Sequence, residues 1–170
     1  KVINLQSISD VPLGAFLSGG VDSSTIVSLM QQENNKPVKT FTIGFEDPNY
    51  DESKFASEVA THLGTDHYEL TVTAQDALSI VPRLPDFYDE PFADSSQIPT
   101  YFVCKSAKQD VTVALSGDAG DELFGGYNRH ITAPLLWNRI NWLPFNARRI
   151  LGASLLKIPT SIWDNTNHMA

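Results

Sequence analysis

The sequence predicts an α/β protein: a doubly wound, mostly parallel sheet with helices on both faces, followed by the start of an all-helical segment. Short apolar runs rich in β-branched and aromatic residues alternate with stretches of helical periodicity over the first 126 residues, which is typical of a parallel sheet. Two of these runs end in glycine-rich turns that open a helix. Beyond them only helical spacing of apolar residues continues. We therefore predict two parts, residues 1–126 and residues 127–170.

Four strands are predicted from short runs of strand-forming composition, at residues 14–17, 38–45, 67–72 and 111–115. Helices are predicted between and after them, from Asp22 to Asn34, around Phe55 to Leu63, over 76–81 and 97–108, and after Gly117. The second of these helices should bury one apolar face, marked by Phe55, Ala56, Val59, Ala60 and Leu63. Gly64 should end the second of these helices, because glycine favours the position after a helix. Ser95 or Ser96 should cap the helix whose first turn carries Pro99.

Several residues outside the motifs are interpreted as structural. Pro144 and Gly152 should interrupt the helices of the last part. Cys104 lies in a helical pattern among apolar residues and should belong to the core. His62 and His67 show no metal-ligand spacing, so we expect them to be surface or capping residues.

Composition and charge limit the classes of function. The net charge is −8, and the acidic residues concentrate in residues 1–126, which carry 7 Lys and Arg against 19 Asp and Glu. Such a surface argues against nucleic acid as a partner, because nucleic-acid binding depends on neutralising phosphates. No apolar run approaches the roughly 20 residues that span a bilayer, which excludes a membrane partner. A single cysteine excludes a disulfide framework, and we predict a cytoplasmic location.

The first chemical motif reads Ser-Gly-Gly-Val-Asp-Ser-Ser, residues 18–24, between a predicted strand and a predicted helix. A helix N-terminus binds anions, and two glycines let the backbone approach a ligand closely. Asp22 would repel a bare phosphate, so it is better explained as a magnesium ligand. The loop lacks the lysine of ordinary nucleoside-triphosphate loops, which favours a site that holds departing pyrophosphate. The alternative is a serine-glycine turn in which Asp22 caps the helix.

The second chemical motif, residues 116–127, again leaves a predicted strand and enters a helix. Its three carboxylates, at Asp118, Asp121 and Glu122, repel one another unless a cation or hydrogen-bond donors compensate. A solvated acidic turn is the alternative. Because ligands of parallel sheets collect at the carboxyl ends of the strands, a phosphate loop on another strand of the same sheet favours the metal interpretation.

The two motifs together resemble those of the glutamine-hydrolysing asparagine synthetases, a branch of the N-type ATP pyrophosphatases. The first is similar to their pyrophosphate loop, and the second to their Ser-Gly-(Asp/Glu)-Gly-x-Asp-Glu signature followed by Phe-Gly-Gly-Tyr. The flanking residues 9–17 and 89–96 agree, so the resemblance covers roughly residues 8–130. It implies the adenine nucleotide alpha hydrolase-like fold. One departure is Ala119 at the usual glycine, which costs about 1 kcal/mol if that backbone needs a positive φ.

The resemblance also implies roles for individual residues, with ATP and Mg²⁺ as cofactors. Asp22 and Asp121 would bind magnesium, and with Asp118, at the position associated with the amino-acid substrate, they form the expected catalytic set. The expected contacts to ATP and pyrophosphate are Leu17, Ser18, Gly19, Gly20, Asp22, Ser23, Ser24, Ile43, Ser116 and Gly117.

The expected reaction is adenylation of aspartate with release of pyrophosphate, followed by amidation to asparagine. Ammonia would come from a glutaminase domain, which is absent from these residues, and the family's downstream catalytic lysine has no match here. We therefore expect the 170 residues to be inactive alone. Two alternatives remain open: a related amidotransferase that acts on a sugar acid or peptide carboxylate, and a non-catalytic nucleotide-binding fragment.

The last predicted part, residues 127–170, carries apolar helical spacing but is too short to form a core of its own. We expect it to be poorly ordered or to self-associate, for example as a homodimer. The side chains expected to be exposed are Leu135, Leu136, Trp137 and Trp142.

Overall fold

The structure is a computed structural model that describes residues 1–48, 50–90 and 94–157. Contacts along the chain divide it into two compact units, Lys1–Gly120 and Asp121–Ala170. This division falls six residues before the boundary expected from the sequence, and the predicted domain limits stay a prediction. Part of the flanking motif at 89–96, and residues 158–170 of the last predicted part, lie outside the described residues.

The described elements alternate between strands and helices up to the fourth strand and are helical thereafter. The strands are β1 (Leu13–Phe16), β2 (Lys39–Phe45), β3 (Asp66–Val72) and β4 (Val113–Leu115). The helices are α1 (Val2–Gln6), α2 (Val21–Glu33), α3 (Ser53–Leu63), α4 (Ala74–Ile80), α5 (Leu84–Phe87), α6 (Gln97–Ala107), α7 (Gly120–Phe124), α8 (Arg129–Ile140) and α9 (Phe145–Leu155), with a 3₁₀ turn at Val81–Arg83.

The four strands form one parallel sheet in the order β3-β2-β1-β4. In register, Ala15 of β1 pairs with Thr40 of β2 on one side and with Leu115 of β4 on the other. The chain winds outward from β1 to β3 and then returns to the opposite side of β1. The order therefore reverses between β1 and β4, which is where open α/β sheets bind ligands.

Both faces of the sheet are covered, because Ala15 and Phe16, successive residues of β1, enter different clusters. Ala15 of β1 packs with Val27 and Met30 of α2 and with Ala56 and other residues of α3. On the opposite face, β2 and β3 pack against α6 and its neighbours in two clusters, whose buried members are Phe41, Val72, Ile80, Phe102, Ala107 and Val111. Burial of a large apolar side chain contributes about 1.5–3 kcal/mol, so these clusters fix the strand ends that carry the motif loops.

Local signals place three helix ends correctly, although one expected side-chain cap does not form. Gly64 follows α3 with φ +71°, as expected of a glycine after a helix. Pro144 precedes the first residue of α9 and separates it from α8. Ser96 occupies the N-cap position of α6, as expected, but the side-chain cap is wrong: its hydroxyl makes no capping bond, and its N–H donates to Asp94 Oδ1 at 2.8 Å.

Four single-residue expectations are also wrong. Gly152 lies inside α9, because a helical glycine costs only about 1 kcal/mol relative to alanine and does not end a helix. Cys104 is exposed on α6, and Phe55, expected on the buried face of α3, is 62% exposed. His67 is half-buried, with Nδ1 hydrogen-bonded to Thr40 Oγ1 at 2.9 Å, so it is neither a surface nor a capping residue.

The second unit, as far as it is described, consists of helices with many exposed apolar side chains. As expected, Leu135, Leu136, Trp137 and Trp142 are 54–75% exposed. Within the unit, the Arg148 guanidinium lies 4.6 Å from the Trp137 ring centroid. In the part of the chain that the structure describes, no helix is long and apolar enough to cross a bilayer.

Candidate active site

Both chemical motifs begin at the carboxyl ends of neighbouring strands. The first loop, residues 17–24, leaves β1 and includes the start of α2, and the second loop, residues 116–120, follows β4, the strand paired with β1 on the side where the strand order reverses. Leu17 continues the β1 ladder, because its N–H donates to the Phe41 carbonyl at 2.9 Å. The topology thus brings the two motif loops together, as the sequence predicts.

The hydroxyls of the first loop mainly close the loop on itself. Ser23 Oγ accepts a hydrogen bond from the Ser18 N–H at 3.2 Å and donates to the Gly20 carbonyl at 3.3 Å. The Ser18 and Ser23 hydroxyls also share a hydrogen bond of 3.0 Å. Ser24 Oγ, by contrast, is buried and has no partner in the described structure. No side chain caps the N-terminus of α2, which leaves the N–H groups of its first turn without a side-chain acceptor.

Gly19 is required by both conformation and space. Its φ of +81° lies in the left-handed region, where side chains other than glycine are strained. A β-carbon at this position would lie 2.7 Å from the Ala56 nitrogen and from the Phe55 carbonyl carbon of α3. The first loop is therefore seated directly on the backbone at the start of α3.

The second loop packs onto the first through two glycines. A β-carbon on Gly117 would lie 2.7 Å from the backbone nitrogen of Ser23. One on Gly120 would lie 2.4 Å from both Cγ and Oδ2 of Asp22. Neither residue of the first loop leaves room for a side chain there. The loops are interlocked through backbone at Gly117 and through the Asp22 carboxylate at Gly120.

The sequence and fold of this chain have close parallels among known proteins. The family model described as Asparagine synthase matches residues 1–165. The chain belongs to the asparagine synthase family. The solved structure of NMN synthetase from Francisella tularensis superposes with a TM-score of 0.51 over 76% of this chain and 57% of that chain. At 15% identity this likeness shows the fold alone, and it confirms the predicted fold class.

Curated relatives carry the same family name. The chain is 42% identical over 149 residues to asparagine synthetase (glutamine-hydrolyzing) 1 of Bacillus subtilis, covering 88% of this chain and 23% of that protein. It is 44% identical over 130 residues to the putative asparagine synthetase (glutamine-hydrolyzing) 2 of Methanocaldococcus jannaschii, covering 76% of this chain and 25% of that protein. The chain thus spans about a quarter of the length of these relatives.

The family's usual glycine is replaced by Ala119, and the structure shows the consequence. Ala119 has φ +70° and is the one residue other than glycine with a positive φ among the residues that the structure describes. The backbone at this position therefore does adopt a positive φ, and alanine in that conformation costs about 1–2 kcal/mol relative to an unstrained backbone. Beside it, Ser116 Oγ donates to Asp118 Oδ2 at 3.0 Å, and the Gly120 N–H closes a turn to the Gly117 carbonyl at 3.2 Å.

Two of the residues expected to contact ATP, Leu17 and Ile43, belong to different clusters. Leu17 is 1% exposed and packs in the cluster under α2 and α3, so its side chain is committed to the core. Ile43 is half-buried on the opposite face, beside Val72 and Phe102. A ligand at the strand ends would therefore meet the backbone at Leu17 and the half-exposed side chain at Ile43.

The acidic residues do not form a ready-made metal cluster. Over residues 1–48, 50–90 and 94–157, no group of three or more His, Cys, Asp or Glu side chains is arranged to hold a metal ion. Asp22 belongs to the first unit, and Asp121 to the second. Glu122 accepts a hydrogen bond from the Tyr127 hydroxyl, which lowers the pKa of that carboxyl and raises the pKa of Tyr127. The sequence analysis gives Tyr127 no role. The signal for this hydrogen bond is the short spacing of five residues between Glu122 and Tyr127.

The sequence also does not predict a groove beside the first loop. An open cavity of about 630 Å³ lies between α2 and α3. Its lining includes Gly19 and Ser24 of the first loop, together with Ser28, Glu58 and His62. No residue of the second loop lines it. We place the candidate active site at the strand ends instead, because the interlocked motif loops meet there.

Proposed function

We propose that this chain is the ATP-binding part of a synthetase domain that adenylates aspartate and releases pyrophosphate, the first half of asparagine synthesis. The observation that carries the proposal is the packing of the Asp22 carboxylate against Gly120, which joins a phosphate-type loop to an acidic loop at the strand ends. The family and the names of the curated relatives support this choice of reaction.

The first loop suits pyrophosphate for a simple electrostatic reason. The N-terminus of α2 presents backbone N–H groups and a partial positive charge, and no side chain caps it. Ser18 and Ser23 hold the loop in shape while Ser24 Oγ, buried without a partner, is available to donate. The remaining proposed contacts to ATP come from Gly19 and Gly20 of the loop and from Leu17, Ile43, Ser116 and Gly117.

Magnesium fits the oxygen ligands that the motifs supply. Carboxylates are ligands that Mg²⁺ accepts in phosphate sites, and Asp22 is half-exposed, with its carboxylate beside Gly120. We propose Asp22 and Asp121 as the carboxylates that hold the ion. When bound, the ion would neutralise charge that develops on the leaving pyrophosphate.

The proposed chemistry has two steps. A carboxylate oxygen of aspartate attacks the α-phosphorus of ATP, the bond from that phosphorus to the β-phosphate oxygen breaks, and pyrophosphate leaves with the electron pair. Ammonia then attacks the acyl carbon of the adenylate, loses a proton, and displaces AMP. In this chain the loops bind and orient ATP, and Asp118, exposed beyond β4, is proposed to face the amino-acid substrate.

Two further functions compete with this one. A related amidotransferase would use the same loops on a sugar acid or a peptide carboxylate, and a nucleotide-binding module would use them without chemistry.

The main proposal has three further parts. It includes the supply of ammonia by a glutaminase domain, a homodimer and a cytoplasmic location.

Product analysis with the natural protein that contains this chain separates these functions. The protein is incubated with ATP, Mg²⁺ and ammonium, and with aspartate, a uronic acid or an aspartyl peptide in turn. We expect AMP and pyrophosphate in equal amounts, with aspartate alone stimulating their formation. Stimulation by another carboxylate would identify a related amidotransferase. Binding of ATP without AMP under every condition would identify a non-catalytic module.

A further inference from the structure

The closest approach between the two motif loops is the contact of the Asp22 carboxylate with Gly120. A β-carbon on Gly120 would lie 2.4 Å from Cγ, 2.4 Å from Oδ2 and 2.8 Å from Oδ1 of Asp22. The whole carboxylate therefore lies against the Gly120 Cα.

Backbone geometry holds Gly120 at this place. The turn bond from the Gly120 N–H to the Gly117 carbonyl and the positive φ of Ala119 fix the course of the loop. Gly117 in turn lies against the Ser23 backbone, which follows Asp22. The second loop thus contacts the Ser23 backbone at Gly117 and the Asp22 carboxylate, which can rotate, at Gly120.

We infer that Gly120 is a positioning residue whose missing side chain sets the place of the Asp22 carboxylate in the nucleotide site. The inference rests on the proposed function, which gives that carboxylate its task. A side chain on Gly120 has to displace the carboxylate, and Asp22 can yield by rotating about its own side-chain bonds. Gly120→Ala should therefore spare the fold and move the carboxylate. Gly117→Ala should instead disturb the fold, because the Ser23 backbone cannot rotate away.

The test compares single glycine substitutions in the natural protein that contains this chain. Calorimetry measures ATP binding over a range of Mg²⁺ concentrations, and thermal unfolding without ligand measures the fold. We expect Gly120→Ala to raise the Mg²⁺ concentration for half-maximal ATP binding by about 10-fold or more, as for other residues that orient metal ligands, with an unchanged melting temperature. We expect Gly117→Ala to lower the melting temperature. Gly152→Ala, with nothing within 4 Å, is the matched control and should leave the Mg²⁺ dependence unchanged.

A double-mutant cycle separates this inference from the proposed function. Asp22→Ala with Gly120→Ala should show the same Mg²⁺ dependence as Asp22→Ala alone, because the second change then has no carboxylate to move. An effect of Asp22→Ala without any effect of Gly120→Ala would overturn the inference and leave the proposed function standing. Mg²⁺-dependent binding that survives Asp22→Ala would overturn both.

One further outcome concerns the stability of the variant. If Gly120→Ala lowers the melting temperature, the double variant must restore it, because removal of the Asp22 carboxylate vacates the space. Restoration supports the contact on which the inference depends. A double variant as unstable as Gly120→Ala alone shows that something other than Asp22 occupies that space, and the inference fails.

Discussion

At the scale of single residues, Ala119 shows how a motif departure becomes a physical property. The family resemblance identifies the position as one where glycine is usual, and the structure gives φ +70°. Two effects oppose each other there. The left-handed backbone strains alanine by about 1–2 kcal/mol, while glycine would lose about 0.5–1 kcal/mol more conformational entropy on folding. Strain is the larger effect, so the present sequence gives up some stability in this loop.

Ala119→Gly should therefore stabilise the protein by about 0.5–1 kcal/mol, measured by chemical denaturation of the natural protein. Gly64→Ala is the matched control, because Gly64 has φ +71° and open space around it. Alanine there should lower the free energy of unfolding through the same backbone strain. Loss of stability in Ala119→Gly would contradict the strained conformation.

Asp22 is the residue for which a catalytic and a structural role make opposite predictions. It is the second residue of α2 and makes no capping bond to that helix. Asp22→Ala should abolish pyrophosphate release in the natural protein while its circular dichroism and melting temperature stay the same. An unfolded variant would instead identify Asp22 as a structural residue of the helix start.

At the scale of elements, a buried polar cluster joins β2, β3 and the end of α3. Thr40 is fully buried, and its hydroxyl bonds Thr65 Oγ1 at 3.0 Å and His67 Nδ1 at 2.9 Å. The other ring nitrogen of His67, Nε2, is buried without a described partner. Burial lowers the pKa of His67 from its ordinary value of 6.5, and Glu69 opposes this shift. The folded state thus prefers the neutral ring.

Acid should therefore weaken the β2–β3 pairing. His67 binds a proton near pH 6.5 in the unfolded chain but only at lower pH in the folded state, because its folded pKa is lowered. The free energy of unfolding therefore keeps its full contribution from the neutral ring above pH 6.5, and this contribution is lost as the pH falls through the folded pKa. After correction for the slower intrinsic exchange at lower pH, the protection factors of amides in β2 and β3 should decrease over this range in the wild type. His67→Asn should remove the acid-dependent part, whereas His62→Asn, on the exposed surface of α3, should keep it. Equal acid responses in all three proteins would contradict this assignment.

At the scale of the whole molecule, the sequence predicts most of the fold because its strongest signals are local. Alternating strand and helix patterns place all four strands within two residues of their observed ends, and Gly64 and Pro144 mark helix ends through their own backbone preferences. The short helices α1 and α5 are not predicted, since four or five residues are too few to show a helical period.

The candidate site is only partly predictable from the sequence. The sequences of the two motifs identify which residues belong to the candidate site, and the parallel topology implies that the loops meet. Contacts between residues far apart in sequence carry no local signal, so the approach of Gly120 to Asp22 and the commitment of Leu17 to the core emerge only from the structure. For the same reason, the partnership of Thr40 with His67 is not visible in the sequence.

The exposed apolar side chains of the second unit predict association of the 170-residue chain. Leu135, Leu136, Trp137 and Trp142 are more than half exposed, and apolar surfaces of this kind normally bind a partner. Sedimentation velocity should show self-association that increases with concentration and decreases in a Leu136→Lys, Trp142→Lys variant. Lys108→Glu, a charge change on the other unit, is the control. A monomer at all concentrations would contradict this prediction.

The central claim is that the interlocked loops activate a carboxylate at the α-phosphorus of ATP, and isotope transfer tests it directly. Aspartate labelled with ¹⁸O in its side-chain carboxylate is incubated with the natural protein, ATP, Mg²⁺ and ammonium, and the products are analysed by mass spectrometry. Each turnover should leave one ¹⁸O atom in AMP, because the oxygen that attacks phosphorus stays with it when ammonia displaces the nucleotide. Formation of ADP, or label recovered in inorganic phosphate rather than in AMP, would contradict the account.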